Sequence, residues 1–142
     1  MVERKKVLIF NAGPIFPVKG MHQVRIFNQI KRLSEDHDVG FMFLHTRKTD
    51  KQETQEKLTR WCVETIPVKT FTQGIFFRGL RKIILKNLSK RWNYPLSYFS
   101  NSNPVTSRIV ARIVNSRQYD AVISHYWEAS GFLKFVHGET LR

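Results

Sequence analysis

The sequence predicts an α/β fold: a parallel sheet with helices packed on both faces. Short apolar runs bounded by turn residues alternate along the chain with segments of helical periodicity, the signature of strands joined through crossover helices. The first run is continuously apolar, as a strand buried on both faces requires. The composition, 142 residues with 42% apolar and 25% charged, is globular and excludes a disordered or fibrous chain. A chain of this length can bury roughly 68–70% of its extended surface and is too short for two full α/β domains.

Lys6 to Phe10 reads as the first strand and ends at the turn residues Asn11-Ala-Gly-Pro. A loop rich in Gly and Pro follows to Gly20. From Met21 to Ser34 the apolar residues Val24, Phe27, Ile30 and Leu33 recur at helical spacing, with Arg25, Lys31 and Arg32 on other faces. Asp38 to Leu44 predicts the second strand. Residues 48–61 are polar good helix formers and predict an exposed helix. Val63 to Val68 predicts a third strand, weakened by Pro67. Residues 74–92 form a strongly patterned helix, and Asn93 to Asn103 a loop. Pro104 opens another helix, to about Ser116, at the first-turn position that proline favours. Tyr119 to Ser124 predicts the fourth strand, and Ala129 to Val136 a final helix. In such folds ligands sit beyond the carboxyl ends of the strands, which selects the loop after Phe10 and the segment after Ser124.

The single cysteine, Cys62, excludes an internal disulfide and a cysteine-rich zinc site. No run approaches the roughly 18 apolar residues of a spanning helix. The start of the chain places charge before apolar residues, but the apolar part is too short for a signal peptide, so a cytoplasmic location is expected. The net charge is +13, and eight of the 11 acids lie in the first 65 residues. Between Ile66 and Tyr119 there is none, while ten Lys and Arg residues fall there. Such a half suits an anionic membrane, a polyanion or plain solvation.

Three constellations can carry chemistry. The first joins strand one to helix one: Gly13 and Gly20 allow close backbone approach, the helix start favours an anion, and Lys19 and Arg25 add positive charge. It is neither a dinucleotide fingerprint nor a P-loop, and an ordinary strand–helix connection fits it too. The second is Ser124-His125-Tyr126-Trp127-Glu128. His125 suits a hydrogen bond to a sugar or phosphate, or proton transfer near neutral pH; it equally suits a structural histidine. Glu128 suits an acid–base group or a favourable charge at a helix start, and Tyr126 and Trp127 suit stacking. The third is the helix at 74–92, whose Arg78, Arg81, Lys82, Lys86 and Lys90 surround an apolar stripe. A basic amphipathic helix can lie in an anionic membrane interface; the same periodicity suits a core-packed helix with a solvated face.

Together these pieces resemble the amino-terminal domain of the family 4 type of retaining glycosyltransferases, which face two Rossmann-like domains across a cleft (the GT-B fold). Three segments carry the resemblance: Pro-Ile-Phe-Pro-Val-Lys-Gly-Met-His-Gln-Val-Arg at 14–25, Leu-Ser-Glu-Asp-His-Asp-Val at 33–39, and Tyr-Asp-Ala-Val-Ile-Ser-His-Tyr-Trp-Glu-Ala-Ser-Gly at 119–131. Met21 stands where the family often has a second glycine, and Ile123 where a first histidine is frequent. The resemblance implies that residues 1–142 form an incomplete, acceptor-side half of a GT-B fold. The Gly20 loop would lie near the donor phosphates and the acceptor, with His125 contacting the transferred sugar. It implies no metal and no cofactor. The nucleotide-sugar donor is expected only with a carboxy-terminal domain, carried by a second polypeptide, and the chain alone is expected to be inactive.

The acceptor implied is a glycolipid or polysaccharide, handled at the inner membrane face. The alternative is a non-enzymatic basic module on an anionic membrane surface. Nucleic acid ranks third, since no helix-turn-helix, zinc-finger or RNA-binding signature accompanies the charge.

Overall fold

The computed structural model describes residues 3–45, 48–69, 87, 104–125 and 127–136. In chain order the described elements are β1 (Lys6–Asn11), α1 (Met21–Asp36), β2 (Asp38–His45), α2 (Lys48–Leu58), β3 (Glu64–Lys69), α3 (Pro104–Arg117), β4 (Ala121–Ser124) and a 3₁₀ helix (Trp127–Phe135). The strands form one sheet in the order β3-β2-β1-β4, and every pairing is parallel. The architecture is thus Rossmann-like α/β, as expected. The patterned segment at 74–92 lies outside the described residues.

Strand alternation sorts the apolar side chains onto two faces. Leu8, Phe10, Met42, Leu44 and Val68 pack with Val110, Ala111 and Val114 of α3 and with Phe132 of the 3₁₀ helix. Ile9, Val39, Phe41 and Phe43 pack on the opposite face with Ile26 and Ile30 of α1 and Leu58 of α2. Each fully buried side chain of this size contributes roughly 1.5–3 kcal/mol. Cys62 belongs to the second face, and burial pushes its thiol pKa up to about 12.

Two elements differ from expectation. The residues after His125 form a 3₁₀ helix, not an α-helix; Ala129-Ser130-Gly131 places a glycine at the centre of the segment, where it weakens regular helix. And α2, expected to be exposed, is held by two fully buried residues one turn apart, Thr54 and Leu58. Pro67 does not break β3, which lies at one side of the described sheet, where a missing ladder donor is tolerated.

The amino-terminal edge of the sheet is closed by a polar tie. α3 ends at Arg117, and Gln118 follows with φ 48°, a left-handed turn. The turn delivers Tyr119 into the core, 8% exposed, where its hydroxyl donates to Glu64 Oε1 at 2.5 Å. Tyr119 thus reaches from the chain entering β4, past β1 and β2, to the first residue of β3. Gly40 makes room: a Cβ there would lie 3.3 Å from both the Tyr119 ring and Glu64 Cγ. The Arg117 guanidinium also pairs with Glu64, and Lys6 Nζ lies 3.5 Å from it. Lys6 Nζ sits 4.9 Å from the Tyr119 ring centroid. Asp120 accepts the Lys6 amide at 2.7 Å.

Burial acts to raise the Glu64 pKa, but the Tyr119 hydrogen bond and the charges of Arg117 and Lys6 outweigh it and hold the carboxyl below its ordinary value of 4.5. Burial and the adjoining carboxylate raise the Tyr119 phenol. Because Glu64 has a folded pKa below its unfolded one, its contribution is fully present above 4.5 and is lost as pH falls through the folded value. Tyr119→Phe is expected to destabilise the chain by about 2 kcal/mol, the scale of a buried hydrogen bond to a charged group, in urea unfolding at pH 7. The loss should shrink on acidification below that range.

Candidate functional site

The candidate site forms where β1 and β4 end. These two strands are neighbours, yet the chain leaves them in opposite directions. After β1 it enters α1 on one face; after β4 it enters the 3₁₀ helix, whose Phe132 packs on the other. A crevice at such a switch point, outside the carboxyl ends of the strands, is where open α/β sheets hold ligands. The His125 amide donates to Phe10 O at 2.9 Å and ties the two exits together.

The loop from β1 to α1 is a fixed structure. Asn11, 5% exposed, donates from Nδ2 to Gly13 O at 2.8 Å and turns the chain out of the strand. Gln23, 7% exposed, then ties the rest together. Its Oε1 accepts the amides of Lys19 at 2.5 Å and Gly20 at 3.1 Å. Its Nε2 donates to Pro14 O at 3.2 Å and Pro17 O at 3.4 Å. From the other side, Thr54 of α2 bonds both the amide and the carbonyl of Phe16, each at 3.2 Å. Sequence reasoning gave neither Gln23 nor Thr54 a role. The signal for Gln23 was its place three residues after the Gly20 cap, where Gln reaches back to the cap backbone.

The amides of Lys19 and Gly20, just before the start of α1, are taken by Gln23. Gly13 has open space where a Cβ would stand, whereas a Cβ on Gly20 would meet only the His22 ring. Gly20 has an extended φ of −161° that any residue adopts. Of the two, Gly13 is therefore the position where missing side-chain bulk leaves the crevice open. Met21 is 81% exposed and does not crowd the loop backbone. The Lys19 side chain is exposed as well.

His125 and Arg25, 100 residues apart in sequence, come into electrostatic contact. Burial lowers the His125 pKa first, and the Arg25 charge lowers it further. The ring is 9% exposed and neutral at pH 7; a neutral imidazole both donates and accepts a hydrogen bond. Beside it, Ser124 Oγ is buried without a hydrogen-bond partner among the described residues. Glu128 lies in the first turn of the 3₁₀ helix, with its side chain outside the described part, as is Tyr126. Arg78, Arg81, Lys82, Lys86 and Lys90 also lie outside the described residues. No group of three metal-ligating side chains occurs among the described residues, and none of their helices is long and apolar enough to cross a membrane.

No protein-family model matches the chain, and neither does any curated protein or solved structure. The functional reading therefore stands on the residues and their placement.

Arg25→Ala is expected to raise the midpoint of the His125 ring titration, followed by NMR, while leaving it below 6.5 because burial is the larger cause. A folded pKa below the unfolded one means that the unfolded chain binds the proton more readily. The His125 contribution to stability is therefore full above 6.5 and is lost as pH falls through the folded value.

Proposed function

We propose that this chain is the acceptor-side part of a retaining glycosyltransferase, transferring sugar from a nucleotide sugar to a glycolipid or polysaccharide acceptor. The observation that carries the reading is the meeting of His125 and Arg25 at the switch point of the sheet. It supports the roles that the resemblance assigns to the two motifs at 14–25 and 119–131. A neutral, largely buried imidazole suits a directed hydrogen bond to a sugar hydroxyl, because a site built around such a bond rejects ligands that cannot make it. Arg25 supplies positive charge beside it, suited to a phosphate-linked substrate. Gly13 leaves room for the substrate to approach the backbone.

In this reading a second Rossmann-like unit holds the nucleotide diphosphate. This chain orients the acceptor and contributes His125 to the sugar face of the reaction centre. The test is titration of the isotopically labelled chain with an alkyl glucoside as acceptor mimic. Saturable shifts at His125 and Arg25, abolished by His125→Ala, are expected, with no sugar transfer by the chain alone. Shifts confined to other surfaces would overturn the acceptor role, and transfer by the purified chain would overturn the need for a second unit.

A membrane location is the second reading. Val18 and Met21, 45% and 81% exposed, flank the exposed Lys19 in the β1–α1 loop and at the start of α1, a pairing of apolar and basic side chains suited to an anionic interface. Reversing Arg81, Lys82 and Lys86 to Glu is expected to abolish sedimentation with phosphatidylglycerol vesicles, each lost cation removing about 1 kcal/mol. Unchanged sedimentation would remove those residues from any membrane role.

A further inference from the structure

A second concavity lies away from the crevice, on α3. It is an open groove of about 520 Å³ lined by Arg108, Ala111, Arg112, Asn115, Ser116 and Phe135. Arg108 and Arg112 stand four residues apart on one helix, so both guanidinium groups serve the same face. Neither makes an ion pair among the described residues. The Arg108 guanidinium lies over the Phe135 ring, 5.7 Å from its centroid, and stacking of this kind restrains the fork. The other polar groups also have partners: Asn115 Nδ2 donates to Phe135 O at 3.1 Å, and Ser116 Oγ to Ile113 O at 2.9 Å. The donors left facing the groove are the two arginines.

Two like charges one turn apart repel by a few tenths of a kcal/mol, and the surrounding sequence does not relieve them. The segment from Ile66 to Tyr119 holds no acidic residue. An anion is therefore the complementary occupant. The groove is open, so a ligand there would be held by the two guanidinium groups and the Phe135 ring and not by enclosure. A planar guanidinium matches phosphate oxygens two at a time.

We infer that the groove on α3 binds a small phosphate-bearing ligand, a phosphate monoester or diphosphate, through Arg108 and Arg112. The site is separate from the His125 crevice and independent of the transferase reading.

Pyrophosphate is the probe, titrated into the full-length labelled chain at fixed ionic strength. The expected result is one saturable set of shifts at the Arg108 and Arg112 side chains and the Asn115 amide. Arg108→Ala or Arg112→Ala should each weaken it by about tenfold or more, the loss of one charge-assisted bidentate contact. Both side chains are exposed, so circular dichroism should show the fold intact. Absence of saturation, or shifts confined to Arg25 and His125, would overturn the proposal. Saturation by a single-stranded oligonucleotide but not by pyrophosphate would overturn it in favour of nucleic acid.

Discussion

β1 has parallel neighbours on both sides, and most of the architecture follows from that constraint. Parallel strands cannot be joined by tight turns, so each link must cross a face of the sheet. The links after β1 and β2 bring α1 and α2 to one face, whereas α3 and the 3₁₀ helix cover the other. Since β2 and β4 flank β1 on opposite sides, the chain leaves β1 and β4 toward different faces, and the gap between those exits is the candidate site. No residue of the crevice had to be placed individually for it to exist. It results from the order in which four strands are laid down.

The two ends of the sheet solve different problems. At the amino-terminal edge the charged and phenolic groups satisfy one another. Glu64 is engaged by Tyr119, Arg117 and Lys6, and Asp120 takes the Lys6 amide. A buried polar network is favourable only when its members are paired, and this one holds β1, β3 and the entry to β4 in relation. At the carboxyl edge, polar side chains hold the backbone of the scaffold. Gln23, Thr54 and Asn11 bond the loop backbone, while Ser124 Oγ stays without a partner among the described residues. One edge is thus tied side chain to side chain, the other side chain to backbone.

The first three strands and α1 were readable because continuous apolar runs and helical periodicity are local signals. Their limits fall within about two residues of the pattern. The two site segments were readable by rule, because ligand crevices follow strand ends in any parallel sheet. The Tyr119–Glu64 tie was not readable: 55 residues separate its members, and nothing local marks Gly40 as the space that the phenol crosses. The role of Gln23 was only half legible: its place three residues after Gly20 marks a bond back to the cap backbone, whereas its bonds to Lys19, Pro14 and Pro17 depend on how the loop folds over it. The last helix was readable as a helix, but not its 3₁₀ form, since apolar spacing over nine residues does not separate the two helix types.

The burial of Cys62 gives the chain a built-in reporter. The thiolate is the form that attacks alkylating reagents, and here the thiol is shielded by the face of the sheet that α1 and α2 cover, with its ionisation pushed far above neutral pH. Since the chain has no other cysteine, the rate at which an alkylating reagent is consumed measures how often that face opens. The sheet face beneath α1 and α2 therefore carries a clock that needs no introduced label, and its ticking registers how often those helices lift from the strands.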